Sequence, residues 1–199
     1  MTYVLGLTGG IASGKSTVSK ILKEFGAVII DGDQVARDLQ QKDSQGLKAI
    51  IKKFGQTYLL ADGQLNRQKL GNLVFNDPKE LKKLNQIMSP LIHQEILRRL
   101  NVAKKQHEKL VVIDIALLFE GKYAQYCTST LTIATSFQNQ LKNLMTRDHL
   151  TKQQALARID SQMSTNQRIK LSDEVIYNDG TVEELKQKMI KWLSSKNLL

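Results

Sequence analysis

A three-layer α/β/α fold, built on a five-stranded parallel sheet and carrying a helical insertion and a lid, is what this chain predicts. Three observations carry that reading. Five short apolar runs have strand length, amphipathic helical stripes lie between them, and the first run feeds a glycine-rich loop that opens into a helix. With 199 residues and 41% hydrophobic content, the chain can bury the core of one such domain with insertions.

The first strand is read at Val4-Leu5-Gly6-Leu7-Thr8, and Gly9-Gly10-Ile11-Ala12-Ser13-Gly14-Lys15-Ser16 follows it in the pattern G-x-x-x-x-G-K-[ST]. A strand that delivers such a loop and a helix that leaves it make backbone N–H groups converge on one anion. Gly10 through Thr17 are therefore read as a nucleoside triphosphate cradle of the P-loop type. Lys15 reaches the β- and γ-phosphates and the Ser16 hydroxyl is offered to Mg²⁺. Val18, Ile21, Leu22 and Phe25 then form one helical stripe that Gly26 closes. Ala27-Val28-Ile29-Ile30 reads as the second strand, ending at Asp31-Gly32-Asp33, so that strand, loop, helix and strand make a βαβ unit. Leu110 to Ile113, Leu131 to Ala134 and Glu174 to Tyr177 supply three more strands. A capping box at Thr181 and Glu184 starts a last helix whose buried face is read as Val182, Leu185, Met189, Trp192 and Leu193.

Between the second and third strands lies a stretch too long for a simple crossover and helical in pattern. Leu47, Ile50, Ile51 and Phe54 form one stripe before Gly55, and Asp77-Pro78 gives an N-cap and first helical position ahead of Leu81, Leu84, Ile87 and Met88. The boundaries read as residues 1–33, 110–135 and 172–199 for a nucleotide-binding core, 34–109 for an acceptor-binding insertion, and 136–171 for a lid bearing Arg147 and Arg158.

Composition narrows the class. No apolar run reaches about 18 residues and no charged-then-apolar leader opens the chain, so the expectation is a cytoplasmic protein without a membrane partner. Cys127 is the single cysteine and is read as structural. The net charge of +10 suits an anionic partner, and charge alone does not separate nucleic acid from a multiply phosphorylated small molecule; the basic residues lie in scattered pairs without the interleaved aromatics of single-strand binders, so no nucleic-acid partner is expected and most of these lysines read as a solvated surface. The oligomeric state is not readable.

Phosphoryl transfer asks a protein mainly for positioning and charge neutralisation. Asp31, Asp33 and Asp114 stand at strand ends, where ligands bind in open parallel sheets. Asp33 is a candidate general base for an attacking hydroxyl, with capping of the following helix as its alternative role, and Asp114 is a candidate carboxylate on the Mg²⁺ side. No Asn-Lys-x-Asp guanine reader occurs, so a small kinase fits better than a GTPase.

At this point the residues carry a resemblance. Gly6 through Thr17, Asp31-Gly32-Asp33, Phe54-Gly55, Leu65-Asn66-Arg67, Val74-Phe75, Asp114 through Glu120 and Arg158-Ile159-Asp160-Ser161-Gln162 resemble the dephospho-CoA kinases in order and spacing, over nearly the whole chain. The resemblance implies ATP-dependent phosphorylation of the ribose 3′-hydroxyl of dephospho-CoA, with ATP and dephospho-CoA as small-molecule partners. By matching position, Asp33 looks like the catalytic base and Lys15 with Ser16 serves the phosphates and Mg²⁺. Arg147 resembles a lid residue facing ATP, and Asn178 the residue beside the adenine. Arg67, Leu117, Leu118, Phe119 and Glu120 resemble the acceptor side, with plain core packing at the end of a buried strand as the alternative role of Leu117, Leu118 and Phe119. Three positions depart from the family pattern: Ser89 where His precedes Pro90, Ala116 where Pro follows Asp-Ile, and Asn143 in place of a lid arginine. The alternatives are a kinase for another nucleoside or nucleotide acceptor and a non-catalytic ATP-binding module.

Overall fold

A computed structural model describes residues 1–199. The strands are β1 (Tyr3–Gly9), β2 (Val28–Asp31), β3 (Leu110–Asp114), β4 (Ser129–Ala134) and β5 (Glu174–Tyr177). The helices are α1 (Lys15–Glu24), α2 (Gly32–Asp38), α3 (Gln45–Phe54), α4 (Arg67–Asn76), α5 (Pro78–Lys105), α6 (Phe137–Asp148), α7 (Lys152–Asp160), α8 (Thr165–Leu171) and α9 (Val182–Ser195). The chain forms two compact units, one of residues 1–30 and 102–199 and the other of residues 31–101. Residues 136–171, read as a lid, pack within the first unit as α6, α7 and α8.

In the first unit the sheet has the order β2-β3-β1-β4-β5. β1 pairs in parallel with β3, Leu7 opposite Asp114, and with β4, Gly9 opposite Ile133; β4 pairs in parallel with β5. β1 is central and buried along its length, which explains its near-continuous apolar sequence. The apolar faces of α1 and α9 close over it: Leu5, Leu7, Val18, Leu22, Leu131, Ile133, Leu185 and Met189 form one core. Tyr3 stacks edge-on against Trp192 at 6.2 Å, while the indole N–H of Trp192 donates to Glu174 Oε2 at 3.0 Å. Two residues read as part of these stripes lie outside the core. Phe25 is the C-cap of α1 and is more than a third exposed, and Val182 opens α9 at 65% exposure, so each stripe gives up its terminal residue to solvent.

The second unit is helical. Ser44, Asn66 and Asp77 supply side-chain caps to α3, α4 and α5. Leu47, Ile50, Leu65, Leu70, Val74 and Met88 form its core, with Phe54 edge-on to Tyr58. α5 runs 28 residues and passes through Pro90 without ending. Within this unit Glu95 takes both Arg98 and Arg99, and Arg99 reaches on to Asp38 of α2 at 2.7 Å. The two guanidinium partners, Arg98 foremost, draw the Glu95 carboxyl down to about 2. No helix of the chain is long and apolar enough to cross a membrane.

Candidate active site

The phosphate loop is shaped by its backbone. Ala12 has a φ of 59° and Gly14 one of 96°, both left-handed. At Gly14 a Cβ would be strained and would also lie 2.2 Å from the amide nitrogen of Asn178, so only glycine serves. Gly14 is the N-cap of α1, makes no side-chain cap bond, and is followed by a first turn without an acid. The leading N–H groups of the helix are thus left for an anion. Ser13 Oγ is buried in the loop without a hydrogen-bond partner, a polar atom for which a bound phosphate supplies a use.

Lys15, read for the phosphates, and Asp114, read for the Mg²⁺ side, lie against each other. Lys15 Nζ forms an ion pair and hydrogen bond with Asp114 Oδ1, and Ser19 Oγ donates to Asp114 Oδ2. The Asp114 side chain is only 6% exposed, so the ammonium is held by a carboxylate that is itself fixed. The Ser16 side chain faces outward at the helix start. No group of three or more acidic, histidine or cysteine side chains forms a cage for a metal. The exposed Ser16 hydroxyl fits a Mg²⁺ that takes its remaining oxygens from phosphates and water, the usual arrangement in kinase sites.

Arg147, at the end of α6, joins Ala12, Gly14, Ser16 and Asn143 around a cavity of about 380 Å³. Its guanidinium makes two bonds to Asp148, at 2.8 and 3.1 Å, and Arg158 of α7 reaches the same carboxylate at 2.7 Å. Arg147, ahead of Arg158, holds the Asp148 carboxyl below its usual range. Asn178 donates to Ser13 O at 2.9 Å and so supports the loop directly. Beside it Asp179 accepts from the Ser136 N–H, Thr135 Oγ1 and Asn139 Nδ2, which fixes the turn from β4 into α6. The Ser136 bond leads the causes that draw Asp179 down to about 2.

Asp33 and Arg67, read from the sequence as a candidate base and an acceptor-side residue, belong to the helical unit. Asp31, not Asp33, caps α2, accepting from the N–H groups of Asp33 and Gln34 at 2.8 and 3.0 Å. The Asp33 carboxylate is left exposed in the first turn, free of the capping role that was its alternative. Arg67, exposed at the start of α4, bonds the Arg37 carbonyl at 3.2 Å.

The acceptor-side stretch after β3 divides by burial. Leu117 and Glu120 are exposed and Phe119 is half-buried, but Leu118 is fully buried, its methyls 3.1 Å from where a Gly6 Cβ would stand. The substrate-facing role read for Leu118 is therefore corrected to packing: the chain turns after Ala116 and points this side chain back at β1. Sequence reading also missed Arg168, a completely buried arginine on α8. It bonds the Met163 and Ala116 carbonyls and stands 3.6 Å from Glu120. Burial depresses its pKa against the opposing pull of Glu120. Burial raises the Cys127 thiol to about 12, and the thiol donates to the Tyr123 carbonyl at 3.5 Å.

A parallel sheet whose central strand ends in this loop, with a lysine held by a buried aspartate behind it and an arginine across the cavity, defines a P-loop kinase. The profile of the dephospho-CoA kinase family matches residues 3–184. A dephospho-CoA kinase from Lactobacillus johnsonii is 43% identical over 95% of this chain and 96% of its own length. One from Bacillus cereus is 41% identical over the whole of both. A solved dephospho-CoA kinase from Campylobacter jejuni is 29% identical with a TM-score of 0.74, covering 99% of this chain and 100% of that one. The chain belongs to the dephospho-CoA kinase family, a family of ATP-using kinases.

Proposed function

We propose that this chain transfers the γ-phosphoryl group of ATP to the ribose 3′-hydroxyl of dephospho-CoA, yielding coenzyme A and ADP. The observation that carries the reading is the preformed loop, with its unengaged helix N–H groups, its orphaned Ser13 hydroxyl and a lysine already fixed by Asp114. The loop amides and Lys15 hold the β- and γ-phosphates, and Arg147 exchanges Asp148 for phosphate oxygens as charge develops. Asp33 takes the proton from the 3′-hydroxyl as the new O–P bond forms and the bond to the ADP oxygen breaks. Arg67, Leu117, Phe119 and Glu120 contribute to acceptor binding. Ser16 and Asp114 would hold the Mg²⁺ of the nucleotide, and the ion would supply neutralisation of phosphate charge.

ADP release measured with and without dephospho-CoA tests the reading. Acceptor-dependent release is expected, and equal rates in the two arms contradict it. A panel of nucleoside and nucleotide acceptors then ranks the substrate. Asp33→Asn should retain ligand binding while turnover falls by about 10² or more. Undiminished turnover would remove Asp33 from the role of base.

A further inference from the structure

We propose that Gln162 and Gln140 are positioning residues of the phosphate loop, clamping the backbone of Ile11 from both sides so that the loop is preformed for phosphate. Ile11 stands in the middle of the loop. Its N–H donates to Gln162 Oε1 at 3.1 Å, and its carbonyl accepts from Gln140 Nε2 at 2.9 Å. Both bonds come from far along the chain: Gln140 lies in α6 and Gln162 in the turn between α7 and α8.

The need for a clamp follows from the next residue. Ala12 has a left-handed backbone, unfavourable for a side chain with a Cβ, and such a conformation persists only where its surroundings over-determine it. Here the constraint is applied on both flanks. The two glutamines fix Ile11 before Ala12, and Asn178 fixes the Ser13 carbonyl after it. Gln140 is buried and fitted to the loop, since a Cβ on Gly10 would lie 2.7 Å from its amide nitrogen. The chemistry of the clamp suits its neighbourhood. A neutral amide satisfies a backbone donor or acceptor without adding a negative charge that repels phosphate or a positive charge that competes with Lys15. Because both glutamines belong to residues 136–171, the loop is shaped by the segment that also carries Arg147.

This inference rests on the phosphate-loop reading, and pyrophosphate, a ligand for the loop alone, separates the two. Binding of pyrophosphate and of ADP is measured by calorimetry for the full chain and for Gln162→Met and Gln140→Met, which keep side-chain length but lose the hydrogen bonds. Amide hydrogen exchange is followed in the same proteins. Both variants should bind either ligand about tenfold more weakly. Exchange should quicken in residues 10–14 while the sheet stays protected, and the KM for ATP should rise more than kcat falls. Failure of the unaltered chain to bind pyrophosphate or ADP would defeat the phosphate-loop reading itself. Binding by the variants equal to the unaltered chain would overturn the clamp alone, as would a loss of protection spread through the sheet, which marks a fold-supporting role only.

Discussion

Two cations face the phosphate loop, and they are kept in different ways. Lys15 lies against Asp114 with side-chain exposures of 21% and 6%, and Ser19 holds the second oxygen of that carboxylate. Arg147 lies against Asp148 with exposures of 55% and 22%, and shares it with Arg158. The inner pair is an arrangement that the fold has already oriented, where low dielectric strengthens each contact. The outer pair is bathed in water, worth little to stability, and free to exchange its carboxylate for a phosphate. The contrast teaches how one site combines a fixed charge with a replaceable one. Position is built in at the inner end, and capture is left to the rim.

Breaking the inner pair should have the largest effect. Lys15→Met is expected to lower kcat by about 10³, the scale of removing an oriented donor from developing charge. A loss no larger than that of Arg147→Ala would erase the distinction between the two ends. Next comes Asp114→Asn, which keeps shape but surrenders two charge-assisted bonds. Chemical denaturation should show about 1–3 kcal/mol less stability, with a fall in turnover alongside.

The outer pair is probed by two substitutions read against each other. Arg147→Ala should raise the KM for ATP about tenfold, whereas Asp148→Asn should change it less than about threefold and leave the melting midpoint near that of the unaltered chain. Raising salt should weaken ATP binding mainly through the rim, since exposed charges are screened more than buried ones. An equal salt response in Arg147→Ala and in the unaltered chain would count against an exchangeable rim arginine.

The smallest effect concerns the turn that carries α6. Asp179, drawn from 3.8 to about 2, binds fewer protons folded than unfolded near pH 3, so its stabilising contribution is complete above its ordinary value and fades as pH falls toward 2. Asp179→Asn should flatten that acid limb of the stability profile. A limb unchanged in slope would show that the turn is held by other bonds.

Legibility in the sequence followed the range of the interaction. The five strands, the loop, and the capping box at Thr181 were readable because each is set by residues within a few positions of one another. Asp31 and Asp33 could not be sorted as cap and free carboxylate, since both stand within reach of the same helix start. Leu118 was misassigned for a related reason. An apolar residue after a strand can face a ligand or the core, and only the turn at Ala116 decides. Gln140, Gln162, Ser19 and Arg168 were not selected as functional residues at all. The partners that tie them to the site, Ile11, Asp114 and the Ala116 carbonyl, lie 52 to 151 positions away, and a glutamine, serine or arginine gives no local sign of so distant a contact.

The most direct measurement is phosphorus NMR of ATP and dephospho-CoA incubated with the unaltered chain and with Lys15→Met. The account predicts that the γ-phosphate signal of ATP declines as a 3′-phosphomonoester of coenzyme A grows, and that Lys15→Met slows this exchange about 10³-fold. Release of the γ-phosphate as free inorganic phosphate, at the same rate with and without dephospho-CoA, would contradict it.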